Sequence, residues 1–120
     1  MSKFNFESLT VYQRAFTLSK NIYLLTQTWP REHLFGLTDQ IRRASLSIVL
    51  NIAEGSSRTR KDYQHFLIIA RGSCFECISL INLAFEIKLI SLKQKEEMYN
   101  EIYQISKMLS GLRASLAKRK

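Results

Sequence analysis

The sequence is poor in the residues that make turns. It has one Pro and four Gly among 120 residues, so it lacks the turn chemistry that a set of β-hairpins requires. This scarcity favours long helices joined by a few tight corners. The length suits one domain and is too short for two, and 46% hydrophobic residues can supply its core.

Long apolar runs and cysteines are also scarce. No run of about 18 apolar residues is present, so we expect no membrane span. The N-terminal sequence does not combine a basic start with an apolar run, so we expect no signal peptide. The two cysteines, Cys74 and Cys77, stand three apart in a helical pattern, a spacing that disfavours a disulfide between them. We therefore expect a reducing, cytoplasmic setting.

Motifs for catalysis and metal binding are missing as well. Residues 74–77 read Cys-Phe-Glu-Cys, but a structural zinc site needs four ligands, and His33 and His65 lack the usual ligand spacing. There is no phosphate-binding Gly-rich loop, no G-x-S-x-G and no Glu-x-x-His pair for a di-metal bundle. The sequence predicts core cysteines, no metal, no cofactor and no enzymatic activity.

Apolar residues recur at helical spacing in four segments of the chain. Three short corners between four helices imply antiparallel neighbours. We therefore predict an all-α, up-down-up-down antiparallel four-helix bundle in a single domain, residues 1–120. The predicted helices span about residues 6–28, 38–54, 60–89 and 92–117.

Several residues predict where these helices begin and end. Pro30 ends the first helix, and Gly36 is expected to take a positive φ in the following loop. Thr38 is the predicted N-cap of the second helix, and Gly55 its C-terminal stop. Capping boxes open the third and fourth helices: Thr59 with Asp62, and Ser91 with Gln94.

The second and third helices carry apolar residues away from their main stripes. A monomeric bundle needs only one apolar stripe on each helix, so we predict that these helices form a subunit interface. Gly72, in the middle of the third helix, is expected to permit close approach of a neighbouring helix. The alternative is a chance surplus of exposed aliphatic residues. The extra residues are Leu46, Val49, Leu50, Ala53, Ile68, Ile69, Phe75, Leu80, Leu83 and Ile87.

Positive charge is in excess. Eighteen Lys and Arg face ten Asp and Glu, for a net charge of +8. Such an excess favours an anionic partner, although it also serves solubility. The predicted topology gathers seven cations and three carboxylates at one end of the bundle. They are Lys3, Arg58, Arg60, Lys61, Lys118, Arg119 and Lys120, with Glu7, Glu54 and Asp62.

This basic end suits a phosphate backbone, whose binding is driven by counterion release. A cyclic oligomer would place every copy of it on one face. We predict nucleic-acid contacts from Arg58, Arg60, Lys61, Lys118, Arg119 and Lys120, to which Arg42 adds.

Polar residues interrupt the apolar helices and predict a structural network. If the second and third helices fold back about residues 59–60, Arg43 lies level with Glu76. Because charges are rarely buried unpaired, we expect an ion pair or a shared hydrogen-bond network there. Its role would be register and packing rather than catalysis. The predicted members are Gln40, Arg43, Asn51, Glu54 and Glu76.

A family resemblance covers almost the whole chain. It is strongest at residues 35–38 (Phe-Gly-Leu-Thr), 40–44 (Gln-Ile-Arg-Arg-Ala), 51–55 (Asn-Ile-Ala-Glu-Gly) and 70–73 (Ala-Arg-Gly-Ser). In these stretches the chain resembles the bacterial 23S rRNA intervening sequence proteins, a ribosomal-protein-like four-helix-bundle family. Residues 74–80 depart from the usual pattern by being more apolar.

The resemblance implies a cytoplasmic homopentamer with no established activity. A related branch, the accessory variability determinant of diversity-generating retroelements, is a basic pentamer that partners a reverse transcriptase and nucleic acid. The first hypothesis is thus an oligomeric nucleic-acid-binding bundle, with RNA favoured over DNA. Base stacking and sequence readout should both be weak, because no aromatic residue lies within the basic clusters. The alternative is a protein-interaction scaffold that docks a nucleic-acid enzyme. A third hypothesis, an enzyme, requires a preorganised pocket.

Overall fold

The structure, a computed structural model, describes residues 3–118. These residues form four α-helices and no strand, which confirms the all-α bundle. A 3-10 turn, Asn5–Ser8, precedes the first helix. The helices are α1 (Thr10–Thr26), α2 (Asp39–Ser56), α3 (Arg60–Glu86) and α4 (Leu92–Lys118).

Consecutive helices pack side by side, and α4 returns to contact α1. Between α2 and α3, Ser47 lies opposite Ser73, with their hydroxyl oxygens 2.9 Å apart. Between α3 and α4, Ile78 and Ile102 line the same groove. These two inter-helix contacts define the antiparallel register. The start of α3 therefore lies beside the C-terminal ends of α2 and α4.

Each helix buries one apolar stripe in a shared core. On α4, Ile102, Ile105 and Leu109, which recur at spacings of three and four, are fully buried. On α1, by contrast, Phe16 follows Tyr12 at a helical spacing of four but is 53% exposed. The buried stripe there includes Ala15, and the next position along a helix is rotated by about 100°. The buried stripe of α1 is Val11, Ala15, Leu18, Ile22 and Thr26.

The predicted capping box at Ser91 forms in full, whereas at Thr59 one of the two hydrogen bonds of a capping box is present. The Ser91 backbone N–H donates to Gln94 Oε1 at 2.8 Å, and the Gln94 N–H donates to Ser91 Oγ at 3.1 Å. At the start of α3 the Asp62 N–H donates to Thr59 Oγ1 at 3.3 Å. Both helices therefore begin where their capping sequences predict.

The α1–α2 connection differs from expectation. It is a 3-10 turn, Arg31–His33, followed by a π-helical turn, Leu34–Thr38, that runs directly into α2. Gly36 has φ −113° rather than a positive value. Thr38 is already helical, so it cannot take the extended backbone of an N-cap. Its hydroxyl is instead buried, without a hydrogen-bond partner among the described residues.

Two glycines have roles other than the predicted ones. Gly55 does not stop α2, which continues to Ser56. A Cβ on Gly55 would stand 2.7 Å from Phe66 Cβ and 2.9 Å from Tyr63 Cδ1, so Gly55 permits α2 and α3 to approach closely. Gly72 is exposed, with no described atom within 4 Å of an added Cβ. The close helix contact expected at Gly72 is therefore absent within this chain.

Helix α3 is unusually apolar. By length and composition it is the one described helix that could cross a bilayer, with a mean hydropathy of 1.6 over its best 18-residue window. Only 39% of that window is buried. Burial against α2 and α4 accounts for part of the apolar content, as in any core helix. The rest lies on the surface at Ile68, Ile69, Phe75, Leu83 and Ile87.

Candidate nucleic-acid interface

The α2–α3 corner and the last turn of α4 carry the predicted cations. Arg58 lies in the corner, Arg60 and Lys61 open α3, and Lys118 ends α4. The antiparallel register brings these four residues to one end of the bundle, which we call the basic end. The N-terminal segment also packs there, because Lys3 lines a shallow pocket with the last turn of α2. Two predicted members, Arg119 and Lys120, lie outside the described residues.

Not all of this charge is equally available. Arg58 Nη2 lies 3.1 Å from Glu54 Oε2, and both side chains are about half exposed. The Arg58 guanidinium also stands over the Phe66 ring, 5.4 Å from its centroid. Arg60, Lys61 and Lys118 are exposed and form no ion pair with the carboxylates of residues 3–118. These three cations of the basic end therefore have no described carboxylate to compete with a ligand.

Arg42 lies away from the basic end, and the nucleic-acid contact predicted for it stays a prediction. It precedes Arg58 by sixteen residues, or about 24 Å of helix. Its Nε donates to Thr26 Oγ1 at 2.8 Å, and its guanidinium lies 4.2 Å from the Tyr23 ring centroid. Arg42 therefore ties α2 to α1 at the other end of the bundle.

The predicted network around Arg43 and Glu76 is also absent. Arg43 Nε bonds Asp39 Oδ2 at 3.0 Å on its own helix, and its side chain is 80% exposed. Glu54 pairs with Arg58, again one turn away on the same helix. Gln40 and Glu76 are exposed. Because these charges point to solvent, a partner on the same helix satisfies them without the cost of burial.

The polar contact that does join α2 to α3 uses serines. Ser73 Oγ lies 2.9 Å from Ser47 Oγ, and Asn51 Nδ2 donates to Ser47 Oγ at 3.0 Å and to its carbonyl oxygen at 2.8 Å. Asn51 is thus the one predicted network residue that takes part in it. The sequence signal was available, since a fold-back about residue 60 places Ser47 level with Ser73.

A groove that the sequence did not predict runs between α3 and α4. Its volume is about 580 Å³. Arg71 stands over the Phe75 ring at 4.9 Å, and Lys107 stands over the Tyr103 ring at 5.3 Å. Tyr99 adds a third ring, and no carboxylate lines the groove. The two pairs share the i, i+4 spacing, which is the signal that could have revealed them.

The family model for 23S rRNA-intervening sequence proteins matches residues 7–111 of this chain. The chain belongs to that family. It is also similar to the crystal structure of a protein of unknown function from the S23 ribosomal protein family of Bacteroides thetaiotaomicron. The two are 25% identical with a TM-score of 0.80, over 87% of this chain and 95% of that one. No curated protein matches the chain.

The core cysteines of this 23S rRNA-intervening sequence protein are buried and free, as the sequence predicts. Burial raises the pKa of Cys74 and of Cys77 to about 12. Both thiols are therefore protonated at neutral pH and poor nucleophiles. No cluster of three or more His, Cys, Asp or Glu side chains within residues 3–118 is arranged to hold a metal ion.

Proposed function

We propose that this 23S rRNA-intervening sequence protein is a non-enzymatic, oligomeric RNA-binding bundle. The observation that carries the proposal is the meeting of Arg58, Arg60, Lys61 and Lys118 at one end, where three of the four cations have no described ion pair. Cations on a convex helix end match the spaced charges of a phosphate backbone better than a buried pocket would. The family description, which names 23S rRNA, favours RNA as the ligand to test.

Binding through the basic end has a measurable salt signature. Each phosphate that the protein neutralises releases counterions, so the logarithm of the affinity falls linearly with the logarithm of the salt concentration. The slope is about −0.7 to −0.9 for each phosphate contact. Phosphate contacts alone carry little sequence information, so different structured RNAs should bind alike.

The test is fluorescence anisotropy of a labelled structured RNA across a salt series. The variant Arg58→Ala, Arg60→Ala and Lys61→Ala should weaken binding and flatten the salt slope. The matched control removes the same number of charges at the other end of the bundle, with Arg31→Ala, Lys93→Ala and Lys95→Ala. This variant should retain the wild-type salt slope. Equal losses in both variants would contradict a localised site, and no binding at low salt would remove the proposal.

Assembly into a homopentamer is part of the proposal. Leu50 on α2 and Ile69 on α3 are 56% and 41% exposed and lie level on adjacent helices. Leu83, which is 48% exposed, follows Ile69 by fourteen residues and lies within about 40° of it around α3, so it extends the same apolar strip. Burying this strip between copies would remove apolar surface from water. The family resemblance implies five subunits, and a ring of five would place five copies of the basic end on one face.

Light scattering coupled to gel filtration tests the assembly. A pentamer of this 14.0 kDa chain has a mass of about 70 kDa, and Leu50→Asp with Ile69→Asp should lower it, because charges on the strip oppose burial. Leu24→Asp is the control, since Leu24 is 53% exposed on α1 and outside the strip. A mass of 14.0 kDa for the wild type at micromolar concentration would contradict the proposal.

A second candidate function is supported by another apolar surface. Phe16, Tyr23, Leu24 and Leu46 line a shallow groove between α1 and α2. An assembly through α2 and α3 would leave this groove free to dock a protein, such as a nucleic-acid enzyme of the reverse transcriptase type. Weak binding of free RNA, with Leu24→Asp abolishing binding of a purified partner enzyme, would favour this accessory role.

A further inference from the structure

The α3–α4 groove combines flat apolar walls with positive charge. Phe75, Tyr99 and Tyr103 are 59%, 45% and 52% exposed, so each presents ring surface to solvent. Arg71 and Lys107 rest against two of these rings. A volume of about 580 Å³ is within the range of small-ligand sites. The groove therefore matches a ligand that is planar, partly apolar and anionic.

The groove also opens toward the basic end. Lys61 precedes Phe75 by fourteen residues and lies within about 40° of it around α3. Arg71 is ten residues from Lys61, a rise of about 15 Å along the same helix. On α4, Lys118 is eleven residues beyond Lys107, about 16 Å away. Each of the two helices thus carries one cation at the groove and one at the basic end, about 15 Å apart.

We infer that this groove holds an unpaired RNA base, which takes the place of Arg71 and Lys107 on the faces of Phe75 and Tyr103 while these two cations contact the flanking phosphates. This inference rests on the proposed RNA-binding function and adds a single-stranded subsite to it. Every base has a π-face, so aromatic rings bind bases with little sequence preference. An Arg guanidinium stacks on planar groups as well as pairing with phosphate. A nucleotide supplies both chemistries, whereas a duplex would offer the groove no free base.

The groove is distinct from the proposed subunit interface. Phe75 is among the residues predicted for the subunit interface, but it follows Ile69 by six residues and is rotated by about 120° from it around α3. Assembly through Leu50 and Ile69 therefore leaves the rings of the groove accessible. Base stacking was expected to be weak because no aromatic residue lies within the basic clusters, whereas the rings of the groove lie elsewhere on α3 and α4.

The test compares two labelled single-stranded RNAs of about 12 nucleotides, within the site sizes of single-strand-binding proteins. One is oligoadenylate, and the other has the same backbone with abasic riboses. The wild type should bind the base-bearing strand at least about fivefold more tightly, which is the smallest affinity gain expected from stacking one base on an aromatic ring. Phe75→Leu with Tyr103→Leu should abolish this preference, because Leu retains apolar bulk but has no flat ring. Tyr103→Phe should retain it.

Two controls separate the alternatives. Phe35→Leu removes a ring that is 93% exposed in the α1–α2 connection, and it should leave the preference intact. The basic-end triple variant should weaken both strands by the same factor. Equal affinity of the wild type for both strands overturns the groove inference and leaves the proposed function standing, whereas no binding of either RNA at low salt removes both. A lower oligomeric mass of the Phe75→Leu, Tyr103→Leu variant would instead identify the groove as a contact between copies of the chain.

Discussion

The guanidinium of Arg14 on α1 forms two hydrogen bonds with the carboxylate of Glu101 on α4. Nη2 lies 2.6 Å from Oε1, and Nε lies 3.0 Å from Oε2. The hydrogen bond to Glu101 raises the pKa of Arg14. This ion pair joins the first and last helices. The other ion pairs among residues 3–118 each join residues four apart along the chain.

Removing this pair should destabilise the bundle modestly. About a third of each side chain is exposed, so solvent screens the attraction, and we expect a coupling of about 0.5–1 kcal/mol. A double-mutant cycle with Arg14→Met and Glu101→Gln, followed by urea unfolding, measures it. Glu97→Gln is the control: its pair with Lys93 is longer, at 3.8 Å, and more exposed. A larger effect at Glu97 would contradict this ranking.

Gly55 and Gly72 should respond oppositely to the same substitution. Gly55→Ala places a Cβ 2.7 Å from Phe66 Cβ and should cost about 1–3 kcal/mol of unfolding free energy through overpacking. Gly72→Ala meets open space and should stabilise α3 by up to about 1 kcal/mol. Thermal unfolding of both variants provides the comparison. A destabilised Gly72→Ala would indicate that a second copy of the chain packs against that position.

The four helices were predictable because their signals are local. Apolar spacing and the capping box at Ser91 set the start of α4 to the residue. The α1–α2 connection was not, because glycine allows several backbone conformations and Gly36 adopts a non-helical one, φ −113° and ψ −108°, that kinks the turn Leu34–Thr38. A glycine in a loop indicates that many φ and ψ angles are accessible, but it does not indicate which of them the backbone adopts.

The candidate site divides in the same way. The common location of Arg58 and Lys118 follows from topology alone, so the sequence sufficed. The partner of Arg43 did not follow from topology, because Asp39 on the same helix competes with Glu76 on the next. The aromatic groove was missed since half of its residues come from each of two helices, and only their packing brings them together.

The serine contact between α2 and α3 should matter more than the charges once expected there. Ser47 Oγ accepts hydrogen bonds from Ser73 Oγ and Asn51 Nδ2 in a part-buried setting. Ser47→Ala removes both bonds and leaves each donor with one backbone carbonyl as acceptor. We expect a loss of about 0.5–1.5 kcal/mol in urea unfolding. Arg43→Ala and Glu76→Ala, both at exposed positions, should each change stability by less than about 0.5 kcal/mol. A larger loss of stability in Arg43→Ala and Glu76→Ala than in Ser47→Ala would instead support an interaction between Arg43 and Glu76.

The buried cysteines predict a loss of stability in alkaline solution. The pKa of each thiol is raised from 9.0 to about 12 because burial disfavours the thiolate. Between these values the unfolded chain releases protons that the folded chain retains, so the free energy of unfolding must fall as pH rises. Below about pH 9 the full contribution is present. Urea unfolding across this window should therefore show a steeper decline for the wild type than for Cys74→Ala with Cys77→Ala. The alanine variant starts from a lower stability because it leaves cavities, so the comparison is between the two slopes. Equal slopes would show that other groups, such as Tyr63, whose pKa is also raised by burial, dominate the alkaline transition.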